Sequence, residues 1–146
     1  MYRAAMARQN WAVRFPKLLR RRPRPVPDLW FPDEDDDEAA RGGYLISGDP
    51  DAPPMSLTEP IIAMREDHFS VSVPPHLLSP GQYFLIGGPG QPSCEVVKVD
   101  VSGPAPGQPR RILRAMLRTV GNVHPAGTPV TAVTARFVED WAQEDL

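Results

Sequence analysis

Phe69, Val71 and Val73 alternate with Ser70 and Ser72, the two-residue period of a strand with one buried face. The same period recurs where Val97, Val99 and Val101 alternate with Lys98, Asp100 and Ser102. Gln82 to Ile86 is an apolar run closed off by Pro80-Gly81 before it and by Gly87-Gly88-Pro89-Gly90 after it. Strands are therefore predicted over Leu57 to Ala63, His68 to Val73, Gln82 to Ile86 and Glu95 to Val101. Two more are predicted from Arg111 to Leu113 and from Pro129 to Thr134. Short strands spaced by roughly 12 residues predict a mainly β fold, a small antiparallel barrel or sandwich. One segment reads two ways. Ile112, Leu113, Met116, Leu117 and Val120 fall at helical spacing, so 110–120 is either a strand followed by a turn or an amphipathic helix.

Upstream of Met55 the pattern changes. Met1 to Arg14 has fair helix propensity, and Pro16 interrupts it. Arg20-Arg21-Arg22-Pro23-Arg24-Pro25-Val26-Pro27 favours polyproline II. Gly42, Gly43, Gly48, Pro50, Pro53 and Pro54 read as linker, in which Tyr44-Leu45-Ile46 can add to a sheet edge. The predicted organisation is an extended, proline-rich, charge-segregated arm and linker over 1–54. A small β domain follows over 55–136, then an acidic tail of one or two helical turns over 137–146.

Composition reinforces the β reading. The 146 residues include 19 prolines, well above the usual share of about 5%. Proline removes a backbone donor and works against long helices and wide regular sheets. The net charge of -2 conceals a strong segregation. Charged side chains up to Pro27 are all basic, and those from Asp28 to Glu38 are all acidic. Cys94 is the only cysteine, which excludes an internal disulfide and a cysteine-based zinc site. No apolar run approaches the roughly 20 residues that span a bilayer, so no membrane partner is expected.

Little in the chain points to catalysis. His68, His76 and His124 are scattered, without metal-ligand spacing, and no metal or cofactor is expected. Cys94 has no neighbour that would activate it, and the acidic run lacks the glycine and ligand spacing of a calcium loop. The glycines at 87, 88 and 90 match no phosphate-binding pattern and read as a hairpin turn. The strongest binding signal is the arm. Trp11, Arg14, Phe15, Lys17, Arg20, Arg21, Arg22, Arg24, Leu29, Trp30 and Phe31 combine aromatic and cationic anchors of the kind that dominate protein interfaces. Contact with nucleic-acid phosphates is the second reading.

Several short motifs then line up in a familiar order. Leu57-Thr58 is followed by Phe69-Ser70-Val71-Ser72-Val73, by Gly81-Gln82-Tyr83-Phe84-Leu85-Ile86-Gly87 and by Glu95-Val96-Val97-Lys98-Val99. The series closes with Arg114, Thr119, His124, Gly127 and Val130. Residues 56–133 resemble a small β module recurrent in tailed-bacteriophage virion proteins of tails, fibres and head attachments. Ala115 and Arg118 stand where that pattern has glycines.

The resemblance implies a virion structural protein without catalysis. Its partners would be capsid, neck or tail subunits, and it would be present in several symmetric copies. It favours the strand-then-turn reading of 110–120. Arg114, Thr119 and His124 are expected to tie down a long turn through backbone carbonyls, and Glu95 to pair with one of them. Gly127 is expected to supply a positive φ.

Overall fold

The computed structural model describes residues 17–18, 28–34, 40–63, 66–100 and 109–143. Nine strands lie among them. These are β1 (Lys17–Leu18), β2 (Leu29–Pro32), β3 (Gly43–Gly48), β4 (Met55–Ser56), β5 (His68–Phe69), β6 (Tyr83–Ile86), β7 (Glu95–Val99), β8 (Arg110–Met116) and β9 (Pro129–Val138). Strand makes up 46% and helix 4%, so the mainly β expectation holds. The strands form one antiparallel sheet in the order β1-β2-β3-β9-β6-β7-β8-β5, with β4 paired to β9, and it is not closed into a barrel. Among the described residues its two outer strands have two residues each. Short edges limit pairing with stray chains and need no closure.

The central strands are buried on both faces, which explains their continuous apolar runs. In β6, Phe84 and Ile86 join one core with Val97, Val99, Ile112, Val130, Ala132, Leu57, Ile61, Phe69 and Leu78. Leu85 points the other way, to a second core with Leu29, Phe31, Ile46, Cys94, Val96 and Val133. Trp30, Leu45 and Val138 form a third group.

The boundary expected near Met55 moves upstream. Leu29 to Pro32 and Gly43 to Gly48 are integral strands, and β3 pairs with β9 along its whole length from Gly43↔Val138 to Gly48↔Val133. Gly43 is a packing glycine, not a linker one. A Cβ there would lie 2.4 Å from the Phe31 carbonyl oxygen and 2.7 Å from Trp30 Cζ2. The expected tail also starts later, because Phe137 and Val138 end β9; Trp141–Gln143 make a 3-10 turn, and residues 144–146 lie outside the described residues.

Smaller differences follow from the prolines. Leu57 to Ala63 is not a strand; it touches the sheet through bridges Leu57↔Val71 and Ile61↔His124. β5 stops at Phe69, ahead of Pro74 and Pro75. Residues 110–116 are strand and 117–118 a turn, so the helical alternative for 110–120 does not form. The expected N-terminal helix, the Arg-Pro segment of 20–27, most of the acidic run and residues 101–108, with the predicted end of the strand at Val101, lie outside the described residues.

Candidate functional site

Four of the residues that carry the module pattern, Glu95, Arg114, Thr119 and His124, meet at one place. Glu95 opens β7 and is fully buried. Opposite Val97, β8 carries one extra residue, since Val96 pairs with Met116 while Lys98 pairs with Leu113. Arg114 and Ala115 share that position, and Ala115 has φ 52°. A bulge with a left-handed residue re-aims the neighbouring side chain. Here it turns Arg114 into the protein, where Nε donates to Glu95 Oε2 at 2.7 Å and Nη2 to Oε1 at 2.9 Å.

Glu95 is saturated by further donors. The amides of Ala115 and Asn122 donate to it at 2.9 and 3.1 Å. His124 Nε2 lies 2.9 Å from Oε1; an ionised carboxylate only accepts, so Nε2 carries the donated proton. Burial pushes the Glu95 carboxyl up, but the bonds from His124, Arg114, Ala115 and Asn122 outweigh it and hold the group down at about 2. The spare Arg114 donors reach Ala63 O at 3.1 Å, Glu66 O at 2.8 Å and Asn122 O at 2.6 Å. One ion pair thus fastens β7, β8, Ala63, Glu66 and the 119–124 loop together.

The adjacent turn is fixed by Thr119. Its amide donates to Met116 O at 3.1 Å across Leu117 (φ 55°) and Arg118 (φ 69°). Two positive φ values in a two-residue turn mark the mirror-image hairpin turns that usually contain Asn or Gly. The Thr119 hydroxyl donates to Met116 O at 2.6 Å and accepts from the Val96 amide at 3.1 Å. Gly127 has φ 87°, with open space where a Cβ would stand, so backbone freedom alone favours glycine there. The two module glycines absent from this chain, at 115 and 118, therefore fall on left-handed positions.

The docking candidates separate. Lys17 is exposed in β1. Leu29, Trp30 and Phe31 are 1%, 2% and 2% exposed and cannot serve as free anchors. Burying a Leu or Phe side chain contributes on the order of 1.5–3 kcal/mol, which holds these residues in the sheet. Trp11, Arg14, Phe15, Arg20, Arg21, Arg22 and Arg24 lie outside the described residues.

Cys94 is buried, and burial pushes its thiol up to about 11. Among the described residues no group of three His, Cys, Asp or Glu side chains is placed to hold a metal ion, and no helix is long and apolar enough to cross a membrane.

Two features escaped the sequence reading. Asn122 gives both an amide and a carbonyl to the ion pair, which no side-chain pattern signals. Phe137 is half exposed and packs edge-on against Tyr44 at 5.3 Å, pairing a residue assigned to the tail with one assigned to the linker. Compared with protein-family models, curated proteins and solved structures, the chain finds no match.

Proposed function

We propose that this chain is a non-enzymatic structural component of a tailed-bacteriophage virion, a decoration, neck or tail adaptor protein that docks through its N-terminal segment. One observation supports the reading above others. Of the residues on which the module resemblance rests, Glu95, Arg114, Thr119 and His124 gather around the loop that follows β8 and are hydrogen-bonded to it or to one another. Their chemistry is directed inward, at one another and at backbone carbonyls and amides, where it stiffens a scaffold. Partners are then left to the basic N-terminal residues, which carry the cations and aromatics that anchor interfaces.

Reversing Arg20, Arg21, Arg22 and Arg24 to Glu tests the docking role. The variant is expected to fold but to be lost from purified particles. Retention at the wild-type level sinks the role. Strong, salt-dependent duplex DNA binding by the wild-type chain, abolished in the variant, favours the nucleic-acid reading instead.

A further inference from the structure

Two arginines of β8 are buried in different surroundings. Arg114 uses all five of its N–H donors, two on the Glu95 carboxylate and three on the carbonyls of Ala63, Glu66 and Asn122. Arg110, the first residue of the strand, is only 5% exposed. Its one hydrogen bond to the described residues runs from Nη2 to Asp100 O at 3.4 Å, a long contact. Its Nε is enclosed and has no partner among them. Nη1 is not enclosed in this way, so the guanidinium keeps an edge towards solvent.

The register places Arg110 at the margin of the first core. It pairs with Phe69 across β5 and β8, and it shares the buried face of β8 with Ile112. Phe69 and Ile112 both belong to the core around Phe84, Val97 and Val99. The guanidinium stays charged there, because arginine does not give up its proton in proteins. A buried charge is costly unless it is paired.

Among the described residues no carboxylate supplies that pair. Asp100 gives Arg110 only its carbonyl, while its carboxylate lies 3.5 Å from Arg111 Nε. Asp67 stands between Arg111 at 3.3 Å and His68 at 2.7 Å. Arg111 is on the exposed face of β8, opposite to Arg110, so both neighbouring acids are drawn to the other side of the strand. Residues 101–108, which join Asp100 to this strand, contain no Asp or Glu.

We infer that Arg110 is a binding site for a carboxylate carried by another molecule, received at the Nη1–Nη2 edge of the guanidinium. That edge offers two parallel N–H donors to the two oxygens of a carboxylate. Charge favours a carboxylate over a phosphate. A single negative charge balances Arg110, whereas a phosphate group, with about 1.5 to 2 negative charges, is set against the adjacent Asp100. The site lies apart from the N-terminal segment, so it stands or falls independently of the docking role proposed above.

Thermal unfolding of the full-length chain in sodium acetate and in sodium chloride, at neutral pH and equal ionic strength, tests this. Acetate is expected to raise the wild-type Tm to a plateau set by its affinity for the native state. Arg110→Met keeps an unbranched apolar side chain and removes the charge. It is expected to show no acetate response, and in chloride to be at least as stable as wild type, because no buried charge is left unpaired. Equal acetate shifts in the two proteins, or no shift in wild type, overturn the inference. So does a folded Arg110→Met that is clearly less stable than wild type in chloride, since the guanidinium is then already paired within the chain. NMR of the wild type needs no variant and decides the matter if Arg110→Met fails to fold. The side-chain N–H signals of Arg110 are expected to move to saturation with acetate, while those of Arg114, whose donors are all taken, stay in place. Arg110 signals that do not move overturn the inference.

Discussion

Replacing Glu95 by Gln keeps the side chain's shape and removes its charge. The carboxylate accepts from five donors: two on Arg114, one on His124 and the amides of Ala115 and Asn122. A Gln presents one oxygen to them and turns its NH2 against donors, while Arg114, 8% exposed, loses its counter-charge. Breaking a buried ion pair in this way costs about 3–5 kcal/mol, a large share of the roughly 5–15 kcal/mol that holds a domain together.

An independent estimate comes from protonation. The carboxyl is lowered from 4.5 to about 2, and at 1.36 kcal/mol per unit this is worth about 3 kcal/mol. Because the folded value is the lower one, the stabilisation is complete above the unfolded value of 4.5 and is lost as pH falls towards 2. Urea unfolding of wild type and Glu95→Gln across this range reads both effects. The wild type should be more stable by about 3 kcal/mol at neutral pH, and the gap should close as the solution is acidified. Parallel curves with a constant gap, or a neutral-pH gap below about 1 kcal/mol, would refute the assignment of Glu95 as the charged centre of the network.

Three further outcomes follow from particular contacts. Ala115→Gly should stabilise the chain by about 0.5–1 kcal/mol, read by thermal unfolding, because relief of left-handed strain exceeds the added entropy of the unfolded glycine. Loss of stability on that change would mean that Ala115 is unstrained. Gly43→Ala should be strongly destabilising, by more than 3 kcal/mol or so, since the new methyl meets the Phe31 carbonyl at 2.4 Å; a mild effect in urea unfolding would show that the β2–β3 pair opens easily. Cys94 should resist thiol reagents at pH 8 in the native protein and react at once in denaturant, given its burial and a thiol raised to about 11.

How far the chain could be read depends on which force shaped each segment. β6, β7 and the start of β9 were legible because burial on one or both faces leaves alternation or an unbroken apolar run, as in Tyr83 to Ile86. β2 was hidden by proline and acidic neighbours that resemble linker composition, and β3 was legible only as Tyr44-Leu45-Ile46 adding to a sheet edge, whereas it lies between β2 and β9. Yet Leu29-Trp30-Phe31, three consecutive large apolar residues, carried the signature of a strand buried on both faces. The partners Glu95, Arg114 and His124 could be named from their order along the chain. The bulge that joins them could not, because Ala115, Leu117 and Arg118 occupy left-handed positions without a glycine to mark them. The hydrogen bonds from Thr119 to Met116 O and from the Ala115 amide to Glu95 hold the backbone there against local preference.

Immunogold labelling of purified particles, with serum raised against residues 55–146, tests the virion role most directly. The account expects label at a reproducible place on the particle. Label on the head would make the chain a decoration or head-fibre protein, and label at the neck or tail would make it a connector or tail component. Absence of label from both intact and disrupted particles would contradict it.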